Sequence, residues 1–199
     1  RRVVRATGRD AAARDPGTPA AIAARAGLDP ERTSHVVRWL LATLALTGRA
    51  TCTGDGRFQV PAVPPDLDPE EPMREQERVD PSALPSYRMA AAVAALYPDV
   101  LRGTVSGESA LFAPERIGAW FEYFSNDNVI YAISNRIGAI AVERALWRDG
   151  GAVLELGGGL GSGTAAVLER FTETGRLGCI QTYRFTENAP SVLRRGQRR

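Results

Sequence analysis

The residues that most clearly could do chemistry are the glycines of segment 157–163, whose sequence is GGGLGSG. The apolar run 152–156 before them predicts a short buried strand, and residues 164–171 after them predict a helix. A glycine-rich loop between a strand and a helix lets a ligand come close to the backbone amides. We therefore expect a ligand-binding loop at this position.

The spacing of these glycines limits which ligand the loop could take. A P-loop requires a Lys followed by Ser or Thr, and the sequence contains no Lys. The dinucleotide-binding pattern G-x-G-x-x-G fails in strict form, because its third glycine falls on Ser162 or Thr164. The pattern that remains is an acid followed by alternate glycines, which are Glu155, Gly157, Gly159 and Gly161.

A second acid follows a second predicted strand. Segment 178–185 has the loose alternation of a strand, and Glu187 comes just after it, where a carboxylate could accept hydrogen bonds from two donors. No metal site is expected, because the sequence has one His and two Cys that lie far apart. No catalytic residue is predicted.

The acid and alternate glycines resemble motif I of the class I S-adenosylmethionine-dependent methyltransferases. The resemblance implies S-adenosylmethionine as the cofactor, with the backbone of Gly157, Gly159 and Gly161 close to its methionine part. It also implies that Glu155 helps to bind that end and that Glu187 accepts hydrogen bonds from both ribose hydroxyls. Retained cofactor binding and its loss are both open alternatives.

The segment before the loop contains 123–128 (YFSNDN), Tyr131, 135–136 (NR) and 141–143 (AVE). With these residues it resembles the helical lid of bacterial natural-product methyltransferases, which often carry a winged-helix domain as well. In such lids polar side chains face the cofactor or the substrate. Tyr131 and Asn135 are four residues apart and so share a helix face, and we expect both to face the substrate. Arg136 is expected to hold an acidic group of a small-molecule substrate.

Residues 1–60 have the pattern of a winged helix-turn-helix domain. Thr18-Pro19 and Asp29-Pro30 predict two helix starts, and 54–56 (GDG) predicts a hairpin turn. The second helix could read DNA, or it could serve dimerisation and packing. Its sequence becomes largely apolar after Arg38, which favours packing, so nucleic acid is not an expected partner.

Composition sets the remaining domain boundaries. Residues 61–85 hold seven Pro, and two Arg against seven acids give a net charge of −5, which predicts a linker. Residues 86–149 are predicted as the helical lid, in which Pro98 ends a helix and the isoleucines between 130 and 140 pack in a core. Residues 150–199 are predicted as part of a Rossmann-like methyltransferase sheet.

The predicted fold is therefore mainly α with an α/β carboxyl-terminal part. A class I methyltransferase sheet has the strand order 3-2-1-4-5-7-6, and this sequence supplies only strands one and two. Two parallel strands with open edges would be unstable. A partner chain, self-association or further residues could cover these edges, and of these we expect a second protein chain that completes both the sheet and the active site.

Three functions are compatible with these features. The leading prediction is a methyltransferase-like subunit of a natural-product biosynthetic enzyme. An alternative is the same fold without cofactor, catalysing an intramolecular displacement or ring closure, and another is a winged-helix DNA-binding regulator. The net charge of +2 is too small to indicate nucleic-acid binding by itself, and no apolar stretch is long enough to span a bilayer, so no membrane partner is expected. The two lone Cys are interpreted as thiols in a reducing cytosol, which predicts a cytoplasmic protein.

Overall fold

The computed structural model describes residues 12–61, 68 and 70–196. The chain divides into two compact units within α4, the helix Leu84–Arg102. One unit comprises the described residues of Arg1–Pro69 with Ala90–Pro114, and the other comprises those of Glu70–Met89 with Glu115–Arg199. The domain boundaries predicted at residues 60, 85 and 149 stay predictions.

The helices and strands have the following bounds. The α-helices are α1 Pro19–Arg25, α2 Pro30–Leu46, α3 Glu71–Val79, α4 Leu84–Arg102, α5 Gly107–Leu111, α6 Ile117–Tyr123, α7 Val129–Ala145, α8 Ser162–Glu173 and α9 Pro190–Gly196. Short 3-10 turns are Pro81–Ala83, Pro114–Arg116 and Leu177–Cys179. The strands are β1 Thr51–Cys52, β2 Phe58–Gln59, β3 Gly151–Glu155 and β4 Ile180–Phe185.

The first unit begins with two capped helices and a hairpin, in the predicted order. Thr18 Oγ1 accepts from the backbone N of Ala21 at 3.2 Å, and Asp29 Oδ1 accepts from that of Glu31 at 3.0 Å. Strands β1 and β2 pair antiparallel. A core that includes Ile22, Val37, Leu41 and Phe58 holds these elements together. The winged-helix interpretation of this unit stays a prediction.

Helix α4 differs from its predicted bounds. The sequence predicted that Pro98 ends a helix, and this was wrong, because the helix continues to Arg102 with Pro98 inside it. Proline removes one backbone donor from a helix. The continuation buries Leu101, which is 5% exposed, and burial of an apolar side chain offsets the lost hydrogen bond.

Helix α7 buries a different face from the predicted one. Its isoleucines Ile130, Ile133, Ile137 and Ile140 are between 37% and 62% exposed, so their predicted place in a core was wrong for the described chain. The buried residues are the small Ala132 and Ala139 together with Glu143. Small side chains let α7 lie close against α8, and this contact decides which face is buried.

The second unit contains the predicted strand–helix–strand element. Strand β3, helix α8 and strand β4 follow one another, and the two strands pair in parallel, with Val153 opposite Tyr183 and Glu155 opposite Phe185. Ala139, Ala166, Val167 and Phe171 form the core between the helices. Among the described residues β3 pairs only with β4, so its other edge has no strand partner there. The side chain of Leu154, which belongs to β3, is 59% exposed.

Two short features complete the description. Within the predicted lid, α5 is a short helix, and the 3-10 turn Pro114–Arg116 leads directly into α6. Within the described residues no helix combines the length and the hydropathy needed to cross a membrane.

Candidate functional site

The glycine loop lies at the carboxyl end of β3 and leads directly into α8. Gly157, Gly159 and Gly161 have φ angles of +67°, +56° and +76°, a left-handed conformation that favours glycine. Gly161 is the N-cap residue of α8. The alternate spacing of the glycines therefore has a conformational reason, whatever the loop binds.

The loop is fixed to the neighbouring strand but leaves open space beside it. The backbone N of Gly158 donates to the carbonyl of Thr186 at 2.8 Å, and the backbone N of Thr186 donates to that of Glu155 at 3.0 Å. A Cβ at Gly157 would meet no heavy atom within 4 Å, and one at Gly159 would meet only the carbonyl of Gly157 at 3.9 Å. This surface can therefore accept a ligand against the backbone.

Glu155 is held by two hydroxyl groups. Its Oε2 accepts from Thr164 Oγ1 and, at 2.8 Å, from the hydroxyl of Tyr183. Burial, together with this bond to Glu155, raises the pKa of Tyr183 to about 12. Oε1 lies on the other side, 2.9 Å from the position that a Cβ at Gly163 would occupy. One oxygen thus anchors the carboxylate to α8 and β4, and the other lies beside the first turn of α8, directly after the loop.

Glu187 is joined to the loop by a direct hydrogen bond. Its Oε2 accepts from the backbone N of Gly159 at 3.0 Å, and its Oε1 accepts from that of Ala189 at 2.9 Å. These bonds, from Ala189 first and then Gly159, lower the pKa of Glu187 below its ordinary value. The carboxylate is therefore charged at neutral pH.

A cluster of aromatic rings lies next to the start of α8. Phe124 stacks on Trp120 with ring centroids 5.3 Å apart, and its ring meets that of Tyr131 edge to face at the same separation. Partial burial raises the pKa of Tyr131, and the charge of Glu155 contributes to the same shift. Tyr131 is therefore near the predicted cofactor site.

The other predicted lid residues have different surroundings. Asn135 Nδ2 donates to Asn126 Oδ1 at 2.7 Å, and Asn126 Nδ2 donates to the carbonyl of Ser162 at 2.8 Å. Arg136 is exposed on α7. The substrate roles predicted for Tyr131, Asn135 and Arg136 stay predictions.

The structure thus brings Glu155, Glu187 and the three alternate glycines together at the ends of two strands. Sequence reasoning missed Thr164 and Tyr183, the two residues that hold Glu155. Only one signal could have found Tyr183: in-register parallel pairing places it on the same face of the sheet as Glu155.

Two further features bear on the kind of site. No group of three or more His, Cys, Asp and Glu among the described residues could hold a metal ion. A pocket of about 360 Å³ lies at the other end of β3, and it contains none of the predicted site residues. Its lining residues are Arg144, Ala145, Trp147, Arg148, Asp149 and Gly150.

Solved structures similar to this chain are carbon methyltransferases. The CurJ carbon methyltransferase shares 19% identity over 93% of this chain and 48% of that chain, with a TM-score of 0.68. The DszA carbon methyltransferase shares 23% identity over 98% of this chain and 51% of that chain, with a TM-score of 0.67. The CMeT domain of the citrinin polyketide synthase shares 18% identity over 84% of this chain and 44% of that chain, with a TM-score of 0.60.

These similarities show that the chain has a methyltransferase-like fold. The chain spans about half the length of these solved structures. No protein-family model matches the sequence, and neither does any curated protein.

Proposed function

We propose that the chain is a methyltransferase-like subunit of a natural-product biosynthetic enzyme and that its glycine loop binds S-adenosylmethionine. The observation that carries the proposal is the 3.0 Å hydrogen bond from Gly159 N to Glu187 Oε2. It joins the alternate-glycine loop after β3 to the acid after β4, in a fold like that of the carbon methyltransferases. The substrate is a small molecule, by analogy one with a carbon nucleophile.

The residues present fit this cofactor. The oxygens of Glu187 accept backbone hydrogen bonds from Gly159 and Ala189, and a carboxylate, with about four acceptor sites, has capacity left for a ribose hydroxyl. Oε1 of Glu155 remains at the loop for a donor on the methionine end, and the open space beside Gly157 lets a ligand reach the backbone. The chemistry supplied by the bound cofactor is an electrophilic methyl group.

This chain's part in such a reaction is to bind and to orient. Tyr131 and Tyr183 have raised pKa values, so their phenols stay protonated at neutral pH and can donate hydrogen bonds but cannot remove a proton. A base for the acceptor is therefore expected from another residue. The aromatic cluster of α6 and α7 would shield the region beside Glu155 from water, as a lid does.

A partner protein chain is proposed to complete the sheet and the active site. Parallel sheets are normally covered on both faces, whereas Leu154 and Leu156 are 59% and 77% exposed. The isoleucine stripe of α7, defined as Ile130, Ile133, Ile137 and Ile140, is a second exposed apolar surface in the same unit. Apolar surface of this extent is typical of an interface.

We further propose that the first unit is a winged-helix packing domain and that the enzyme works in the cytoplasm.

One observation favours a second candidate function. Glu155 and Glu187 already accept hydrogen bonds from the protein's own groups, so the loop is stable without a ligand. The same fold could therefore work without cofactor and catalyse a ring closure in which a substrate nucleophile displaces a leaving group of the same molecule.

The DNA-binding alternative has less support, because Trp39 and Leu46 on α2 are 58% and 89% exposed and neither contacts phosphate well.

Calorimetric titration with S-adenosylmethionine tests the proposal, on the chain alone and with any co-purifying protein. Glu187→Ala is expected to weaken binding more than about tenfold, because a hydrogen bond to a charged group contributes about 1.5–3 kcal/mol. Glu169→Ala, which removes an exposed acid of α8, is the matched control and is expected to bind normally. Absence of binding in every preparation would overturn the cofactor assignment and favour the ring-closure candidate.

A further inference from the structure

A chain of hydrogen bonds connects α7 to the first residue of α8. Asn135 Nδ2 donates to Asn126 Oδ1 at 2.7 Å, and Asn126 Nδ2 donates to the carbonyl oxygen of Ser162 at 2.8 Å. Ser162 Oγ donates in return to the carbonyl oxygen of Phe124 at 2.5 Å. Hydrogen bonds thus run in both directions between the turn before α7 and Ser162, which is only 5% exposed.

The turn that provides these partners is itself firmly held. Ser125 Oγ donates to Asp127 Oδ2 at 2.8 Å and accepts from the backbone N of Asp127 at 3.1 Å. Asn128 is fully buried, and its Nδ2 donates to the carbonyl of Tyr123 at 2.8 Å and to Ser86 Oγ at 2.9 Å. A buried and satisfied polar network of this kind rigidifies the backbone that it connects.

Ser162 occupies the position where the glycine loop ends. It follows Gly161, whose left-handed backbone closes the loop and whose carbonyl accepts from the backbone N of Ala165 at 2.9 Å. Gly161 N in turn donates to the carbonyl of Gly158 at 2.9 Å. A displacement of Ser162 would therefore move the backbone amides against which a ligand would lie.

We propose that Asn135, Asn126 and Ser162 form a loop clamp that presets the glycine loop for its ligand. Asn135 is then a positioning residue, acting through Asn126 and not through contact with substrate. The proposal rests on the proposed function in one respect only, the identity of the ligand as S-adenosylmethionine. The preset shape of the loop belongs to the protein without ligand.

Asn135→Asp tests the clamp because it replaces the donor by an acceptor. At neutral pH the new carboxylate would face Asn126 Oδ1, and rotating the Asn126 amide to meet it would place that oxygen against the carbonyl of Ser162. The chain of bonds is broken either way. Below the pKa of the new carboxyl its O–H can donate to Asn126, so acidification restores the link.

Hydrogen–deuterium exchange of the loop amides measures the clamp without any ligand. Asn135→Asp is expected to raise the exchange rate over 158–161 about tenfold at neutral pH, and a pH of about 4 or below, where an Asp carboxyl is protonated, is expected to reverse this after correction for intrinsic exchange. Asn135→Ala is expected to show the increase at both pH values. Ser134→Ala, at an exposed neighbouring position on α7, is the control that should change neither.

Titration with S-adenosylmethionine gives the second measurement. Compared with wild type at the same pH, Asn135→Asp is expected to bind about tenfold more weakly at neutral pH and equally well at about pH 4, whereas Asn135→Ala should stay weaker at both. A lowered Tm with unchanged loop exchange would overturn the clamp and leave Asn135 a helix-packing residue. The predicted exchange pattern in a chain that does not bind S-adenosylmethionine would support the clamp and overturn only the proposed ligand.

Discussion

Replacing Gly163 by Ala is expected to destabilise the protein, against the usual effect of this change in a helix. Gly163 is the second residue of α8, and a Cβ there would lie 2.9 Å from Glu155 Oε1. Ordinary contact begins at 3.4 Å, so the carboxylate would have to retreat by about 0.5 Å. Its other oxygen holds the hydroxyls of Thr164 and Tyr183, and a retreat of that size lengthens the 2.8 Å bond from Tyr183 to as much as about 3.3 Å, outside the usual range of 2.5–3.0 Å for this type of bond.

The magnitude follows from two opposing terms. Alanine in place of glycine stabilises a helix interior by about 1 kcal/mol, and this value is an upper bound for Gly163 in the first turn of α8. Loss of one hydrogen bond to a carboxylate costs about 1.5–3 kcal/mol. Gly163→Ala should therefore lower the free energy of unfolding by about 0.5–2 kcal/mol.

Gly138→Ala is the matched control for this experiment. Gly138 lies within α7, and a Cβ there would meet nothing within 4 Å, so the change is expected to stabilise by about 1 kcal/mol. The gap between the two variants, about 1.5–3 kcal/mol, corresponds to about 3–12 °C in Tm by circular dichroism. Equal stabilisation by both substitutions would refute the reasoning. In a Tyr183→Phe background the penalty at Gly163 should shrink, because one of the two bonds is already gone.

Three further predictions concern the second unit. Asn128→Ala should lower the free energy of unfolding by about 1–3 kcal/mol, because it leaves buried partners unsatisfied, and chemical denaturation measures this. The Tyr183 phenol should ionise near pH 12, and since its pKa is raised from 10.0, its stabilising effect is complete below pH 10 and lost as pH rises toward 12. Glu143→Gln should lower Tm at pH 7, because the hydrogen bond from Arg170 at 2.8 Å is weakened. The pKa of Glu143 is lowered from 4.5 by that bond, so the Tm difference should narrow as pH falls below 4.5.

Each of these predictions has a control and a contradicting result. Asn188→Ala changes an exposed amide and should leave the free energy of unfolding unchanged. An equal loss in both variants would exclude the buried hydrogen bonds of Asn128 as the cause. The ultraviolet titration of the wild type minus that of Tyr183→Phe isolates one phenol, and a midpoint near pH 10 would disagree with its burial. Glu169→Gln alters an exposed acid of α8, and a Tm loss equal to that of Glu143→Gln would exclude a special role for the contact with Arg170.

The features that the sequence predicted correctly are local ones. A capping residue followed by proline marks the start of both α1 and α2, and each helix begins at that proline. Three glycines at alternate positions are needed because each adopts a left-handed backbone. The acid before them and the acid after β4 have fixed places relative to two strands, so their meeting at one edge followed from parallel pairing.

The features that the sequence did not predict depend on distant contacts. The spacing of the α7 isoleucines indicated an apolar face, but the partner α8 selects the alanine face through close packing. Asn126 and Ser162 are 36 residues apart, and no local pattern marks their hydrogen bond. Pro98 stays inside α4 because Leu101, beyond it, reaches a core.

The continuity of β3, α8 and β4 has a consequence for how quickly the loop acquires its shape. The loop, both carboxylates and the hydroxyls that hold Glu155 all lie within 151–187, so assembling them requires one crossover and no return from a distant part of the chain. Rates of folding fall as the average sequence separation of contacts grows. The loop is therefore expected to acquire its shape faster than elements whose partners lie far away in the sequence.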